Sequence, residues 1–156
     1  MIAAQHEKHV VVTAPGALVD DASLTCNVID CKGYGYLTVD VQLGATDIGV
    51  TALKLQESDV AASATALTNG ADVTGCIWGT SANIAGSTST LPSATNDNTC
   101  FRFEVDLRGR KRYILPVVTV GNGSVGGYVT VTAKLSRPQD CPVTASERGC
   151  TEILRV

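Results

Sequence analysis

"FRFEVDLRGRKRYILPVVTV", residues 101–120, is the stretch whose reading decides the fold. Its first seven residues alternate without a break: Phe101, Phe103, Val105 and Leu107 on one side, Arg102, Glu104 and Asp106 on the other. A period of two gives a strand with one dry and one wet face, whereas a helix would scatter these residues around its circumference. Residues 113–120 are apolar and rich in β-branched side chains, so they read as a second strand. Between the two lie Arg108, Arg110, Lys111 and Arg112, with Gly109 among them. This basic stretch is either a nucleic-acid grip or a solvated corner between strands.

The same alternation recurs along the chain. "YLTVDVQL" (36–43) sets Leu37, Val39, Val41 and Leu43 against Thr38, Asp40 and Gln42, and "YVTVTAKLS" (128–136) sets Val129, Val131, Ala133 and Leu135 against Tyr128, Thr130, Thr132 and Lys134. "TALKLQES" (51–58) turns Leu53 and Leu55 inward, and weaker strand patterns cover 8–13, 23–29, 72–78 and 112–120. About eight short strands separated by "TAPG", "CKGYG", "LGATDIG" and "GNGSVGG" predict an all-β, two-sheet β-sandwich or jelly roll. "VAASATALT" (60–68) is the one place where one or two helical turns are expected, and 79–98 is a long polar loop. The domain spans 1–138, and 139–156 is a cysteine-containing tail.

Composition decides between the two readings of the basic stretch. Charged residues make up 17% of the chain and the net charge is −3, against the basic balance of a phosphate-backbone binder. No interleaved aromatics accompany the cations, so the stretch reads as a solvated corner, with Gly109 supplying a positive φ. An acidic protein surface is the other partner such a corner can take. Neither nucleic acid nor membrane is expected as a partner, since no apolar run reaches bilayer length. "MIAAQHEKHVVV" has no cationic n-region, so synthesis in a cytoplasm is expected.

Six cysteines sit awkwardly with a reducing cytosol. No C-x-x-C pair occurs, and His6 and His9 lie far from every cysteine in sequence, which weighs against zinc. Cys26 also reads as a small buried hydrophobe beside Leu24 and Val28. Release of a particle into an oxidising medium would permit later disulfides. On sequence proximity the pairings are Cys141–Cys150, then Cys76–Cys100, then Cys26–Cys31. The first would close a short polar ring, contribute about 2–3 kcal/mol, and position "TEILRV" (151–156) as an added edge strand or arm.

No catalytic constellation, metal site or cofactor site is expected. "HEKH" (6–9) lacks the i,i+4 spacing of a helical zinc protease site, and Glu57 with Asp59, or Asp40 with Glu104, are not marked as a carboxylate pair. "GNGSVGG" (121–127) resembles a phosphate loop but lacks the following Lys and helix. Trp78 and the 79–98 loop form the candidate site for a carbohydrate-binding alternative.

Two segments, 36–59 and 107–138, resemble a family of small tailed-bacteriophage virion proteins encoded near the major capsid protein, which includes head decoration (cement) proteins. The resemblance is carried by "LGATDI" (43–48), "LKLQESD" (53–59), the basic corner before "RYILP" (112–116) and "AKLSRP" (133–138). It implies a non-enzymatic, jelly-roll-like homo-oligomer, often a trimer, on the outer surface of the virion head, clamping capsomers of the major capsid protein. Arg108, Arg110, Lys111 and Arg112 are then the candidate capsid contacts. A tail or head-fibre component is the alternative within virions.

Overall fold

The computed structural model describes residues 6–80, 89–142 and 144–154, and it is built from strands. In chain order these are β1 (Lys8–Val11), β2 (Ala17–Val19), β3 (Ala22–Ser23), β4 (Ile29–Asp30), β5 (Tyr34–Thr46) and β6 (Val50–Ser58). They continue with β7 (Ala61–Ser63), β8 (Ala66–Leu67), β9 (Ala71–Ile77), β10 (Thr99–Asp106), β11 (Tyr113–Val120) and β12 (Gly127–Pro138). Several are longer than alternation alone suggested, because a strand continues through Gly, Tyr and Thr residues that carry no clear phase.

Pairing is antiparallel throughout. β1 and β2 line the same side of β12, and β3 and β4 the same side of β11, so each pair is one interrupted edge strand. One sheet therefore runs β1/β2, β12, β5, β10, and the other β3/β4, β11, β6, β9. That makes eight strand ranks in two sheets, with β7–β8 as a separate hairpin. The chain crosses between sheets at every connection except that from β6 to β9, which is the topology of a jelly roll. Residues 60–68 thus form the β7–β8 hairpin rather than helical turns.

Pro116 shows how sequence and topology agree. It lies within β11, an interior rank, where a missing N–H is normally excluded. The carbonyls of Arg112 and Val118 accept from Cys31 and Leu24 on the edge side, so the even-numbered residues of β11 direct their backbone groups toward that edge. Pro116 therefore faces the interval between β3 and β4, where the ladder is already interrupted. Over residues 25–28 the chain instead sends the Asn27 N–H to the Val12 carbonyl and the Val28 N–H to the Ala64 carbonyl.

The core is one continuous apolar layer between the sheets. Leu37, Val39 and Val41 of β5 and Val131 and Leu135 of β12 are fully buried, as are Leu53, Leu55, Ile114 and Val118 of the other sheet. Each such side chain contributes about 1.5–3 kcal/mol of transfer free energy, against the chain entropy that folding removes.

Candidate functional site

The basic corner is not a hairpin tip. It carries the chain from β10 in one sheet to β11 in the other, with Gly109 at φ +76° as the turn requires. Three of its four cations face carboxylates. Arg108 bonds Asp106 at 2.9 Å, Arg110 approaches Glu57 at 3.5 Å, and Arg112 grips Asp30 through two bonds of 2.9 and 2.7 Å. The Arg112 guanidinium also lies 4.7 Å from the centre of the Tyr113 ring. Glu57 accepts the Lys111 backbone N–H at 3.2 Å, so this carboxylate holds the corner at two points. Hydrogen bonding to Arg108 and Arg112 holds the Asp106 carboxyl down to about 2 and the Asp30 carboxyl below its usual range. Of the four corner cations only Lys111 has no carboxylate within ion-pair distance among the described residues. A corner so nearly neutralised projects little field beyond a Debye length.

None of the three cysteine pairings is present: all six thiols are free. Cys26 and Cys31 are buried, and burial pushes both thiols up to about 12. Cys76, on β9, and Cys100, on β10, belong to different sheets; Cys100 is exposed, 3.9 Å from Asp40 on the wet face of its sheet. Cys141 turns toward the N-terminal segment, with its Sγ 3.0 Å from His6 Nδ1, while the Cys150 thiol donates to the Arg148 carbonyl at 3.8 Å. Neighbours in sequence are not neighbours in Cβ geometry.

The tail is ordered by its backbone rather than by a disulfide ring. Thr144 and Glu147 exchange bonds, each side chain accepting the other's N–H at 3.2 and 2.9 Å, which is a capping box. The Gly149 and Cys150 N–H groups return to Ser146 and Ala145, a Schellman closure with Gly149 at φ +74°. This single turn docks on β1, where the His9 N–H donates to the Arg148 carbonyl at 2.9 Å. Of the segment expected to add an edge strand to its own or a neighbouring subunit, residues 151–154 form no strand within this chain, and 155–156 lie outside the described residues.

The phosphate-like loop 121–127 is already occupied by the protein's own carboxylates. Asp47 accepts the N–H groups of Ser124, Val125 and Gly126 at 2.7, 2.8 and 2.9 Å, and Asp20 accepts that of Gly123 at 2.8 Å. These bonds, that of Val125 foremost, keep the Asp47 carboxyl below its ordinary range. Asp40 is held bidentate by Arg102 at 2.6 and 2.9 Å, and Glu57 serves the corner. Among the described residues no three His, Cys, Asp or Glu side chains converge to hold a metal.

Trp78 is no exposed platform. It is half-buried, edge-on to Phe101 and Phe103 at centroid distances of 5.2 and 6.4 Å. Of the loop paired with it, 81–88 lies outside the described residues, while Pro92 and Asp97 accept the backbone N–H groups of Val50 and Thr46. A cleft that sequence reading missed lies instead on the wet face of the β12–β5–β10 sheet. Its volume is about 390 Å³, and its lining includes Gln42, Gly44, Asn98, Cys100, Tyr128 and Thr130. Its only sequence signal was Tyr128, a ring on the polar side of an alternating strand.

No protein-family model, curated protein or solved structure matches this chain. What stands is the class, an antiparallel jelly-roll sandwich, and that class hosts many functions.

Proposed function

We propose that this chain is a non-enzymatic tailed-phage decoration (cement) protein that binds the outer surface of the head and steadies contacts between capsomers. The observation that carries the reading is the resemblance of residues 36–59 and 107–138 to that family of virion proteins. The jelly-roll topology supports it, since viral capsid domains are among the users of this architecture. As a homo-oligomer on a repeating lattice of the major capsid protein, it gains affinity from several weak contacts made together. Within the corner, Lys111 is the side chain best placed to meet an acidic capsid surface, because Arg108, Arg110 and Arg112 are engaged internally.

The test is the protein inventory of purified particles by quantitative mass spectrometry. A copy number comparable to that of the major capsid protein is expected. A few copies per particle would indicate a tail or head-fibre component, and absence from particles would sink the virion reading.

A second reading, carbohydrate binding, is favoured by the Tyr128 cleft rather than by Trp78. Its lining carries amides, hydroxyls and a ring 44% exposed, with no formally charged side chain, which suits a neutral polyhydroxylated ligand. Glycan-array binding abolished by Tyr128→Ala, with folding intact, would support this reading over the first.

A further inference from the structure

The four sheet edges are not alike. The β1/β2 edge is broken at Pro15 and Gly16 and covered in part by the 144–150 turn. The β3/β4 edge consists of two two-residue pieces. The β9 edge contains Gly75 at φ +87°, and its pairing with β6 slips between Lys54 and Gln56. Such breaks, bulges and covers are how proteins prevent strand addition. Among the described residues β10 has none of them. It pairs with β5 in unbroken register from Thr99 to Asp106, and contains no proline and no bulge.

The direction of its free groups follows from one hydrogen bond. The Leu107 N–H donates to the Gly35 carbonyl at 3.1 Å, so odd-numbered residues address β5. Cys100, Arg102, Glu104 and Asp106 therefore point their N–H and C=O groups away from the sheet, and no backbone partner for them occurs among the described residues. The side chains of these same residues stand on the wet face and are exposed.

We propose that β10 is a dimerisation edge whose occupant is β10 of a second copy, paired antiparallel about a two-fold axis at Phe103. In that register Arg102, which also holds Asp40 of its own chain, faces Glu104 of the other copy, twice by symmetry. Sliding by two residues either way sets Arg102 against Arg102 or Glu104 against Glu104, so charge selects one alignment. Glu104 is available for this, having no cation within ion-pair distance among the described residues. The composition of this end points the same way. The chain's only tryptophan and both phenylalanines cluster beneath β10, with Trp78 and Phe101 left half-buried, and such rings are enriched at interfaces. Pairing would join two four-rank sheets into one continuous sheet. This inference stands apart from the capsid reading and replaces the implied trimer with a pair.

Sedimentation equilibrium of the full chain tests it with two variants. Glu104→Lys places like charges at both cross-strand positions. Glu104→Pro removes an outward N–H that β5 does not use. The wild type should sediment as a dimer. Each variant should raise the dimer dissociation constant at least about tenfold, with an unchanged circular dichroism spectrum. A monomeric or trimeric wild type, or a dimer indifferent to both variants, overturns the proposal. So does a dimer abolished by deleting residues 151–156, since a neighbour's tail would then be the strand that fills the edge.

Discussion

Replacing Gly149 with alanine tests whether the 144–150 turn is docked on β1. Gly149 has φ +74°, and a Cβ built on it would fall 1.8 Å from the His9 carbonyl oxygen. The left-handed conformation alone costs an L-residue about 1–2 kcal/mol. The overlap is with backbone, so it is relieved only by moving the turn off β1. Undocking forfeits the His9–Arg148 hydrogen bond, worth about 0.5–1.5 kcal/mol, and uncovers Arg148, which is 8% exposed. Because undocking is the escape route, the loss is the conformational cost plus that of undocking, about 2–3 kcal/mol in all. At roughly 2–4 °C per kcal/mol for a chain of this size, the melting temperature should fall by about 4–12 °C. Gly109→Ala is the control, with φ +76° and nothing within 4 Å of its Cβ. It should incur only the conformational cost. The distinguishing assay is limited trypsinolysis: Arg148 should resist cleavage in the wild type and in Gly109→Ala, and be cut in Gly149→Ala. Equal resistance in all three proteins would refute the docked turn.

Three other expectations follow from the thiols, the carboxylates and the corner. Thiol titration in denaturant without reductant should find six free groups, and under native conditions Cys100 and Cys141 should react first, while Cys26 and Cys31 stay protected by burial; disulfide-linked peptides in the mass spectrum would contradict this. Asp30, Asp47, Asp72 and Asp106 all have depressed pKa values in the fold, so their stabilisation is complete above the unfolded value near 3.8 and is lost as pH falls through the folded values, that of Asp106 being about 2. Thermal stability should therefore be level from neutrality to about pH 5 and drop below about pH 4, less steeply in Asp47→Asn, and a loss centred near pH 6 would refute the assignment. Lys111→Glu should change stability by less than about 0.5 kcal/mol, whereas Arg110→Glu sets a second carboxylate against half-buried Glu57 and should cost about 1 kcal/mol by chemical denaturation; equal effects would mean that Glu57 does not brace the corner.

The long uninterrupted strands were legible because an antiparallel sheet with one wet face writes its geometry into alternation, as β5, β10 and β12 do. The interrupted edges were not, since 23–29 changes phase midway: Leu24 and Cys26 are buried, and then Ile29. The small residues of 60–68 fit a hairpin and a helical turn equally; in the fold they pair as a hairpin whose Ala64 carbonyl accepts the distant Val28 N–H. Two local signals were present in the sequence and passed over. Thr144, Glu147 and Gly149 spell a capping box and its closing glycine. Pro116 within a β-branched run marks a position beside a gap in the ladder. The partners of the corner were out of reach, because Asp30 and Glu57 lie 82 and 54 residues away from the groups they hold. Ion pairing across that distance is a product of the fold, and no local pattern encodes it.

Those distant carboxylates change what the basic stretch can do. A cluster of free cations would steer long-range encounter with an acidic partner and would lose its effect in salt. A corner braced by Asp106, Glu57 and Asp30 does neither to the same degree; its arginines hold β10, β6 and β4 in place around the crossover. The opposite logic holds along β10. There the backbone groups are unspent and the charges self-complementary, and the aromatic rings beneath are only partly covered. Association should therefore begin at this edge rather than at the corner. A two-fold pair formed there presents every remaining surface twice, in fixed orientation. On a lattice with two-fold contacts between capsomers, that is the geometry in which a weak site at Lys111 or beside Tyr128 gains most from being doubled.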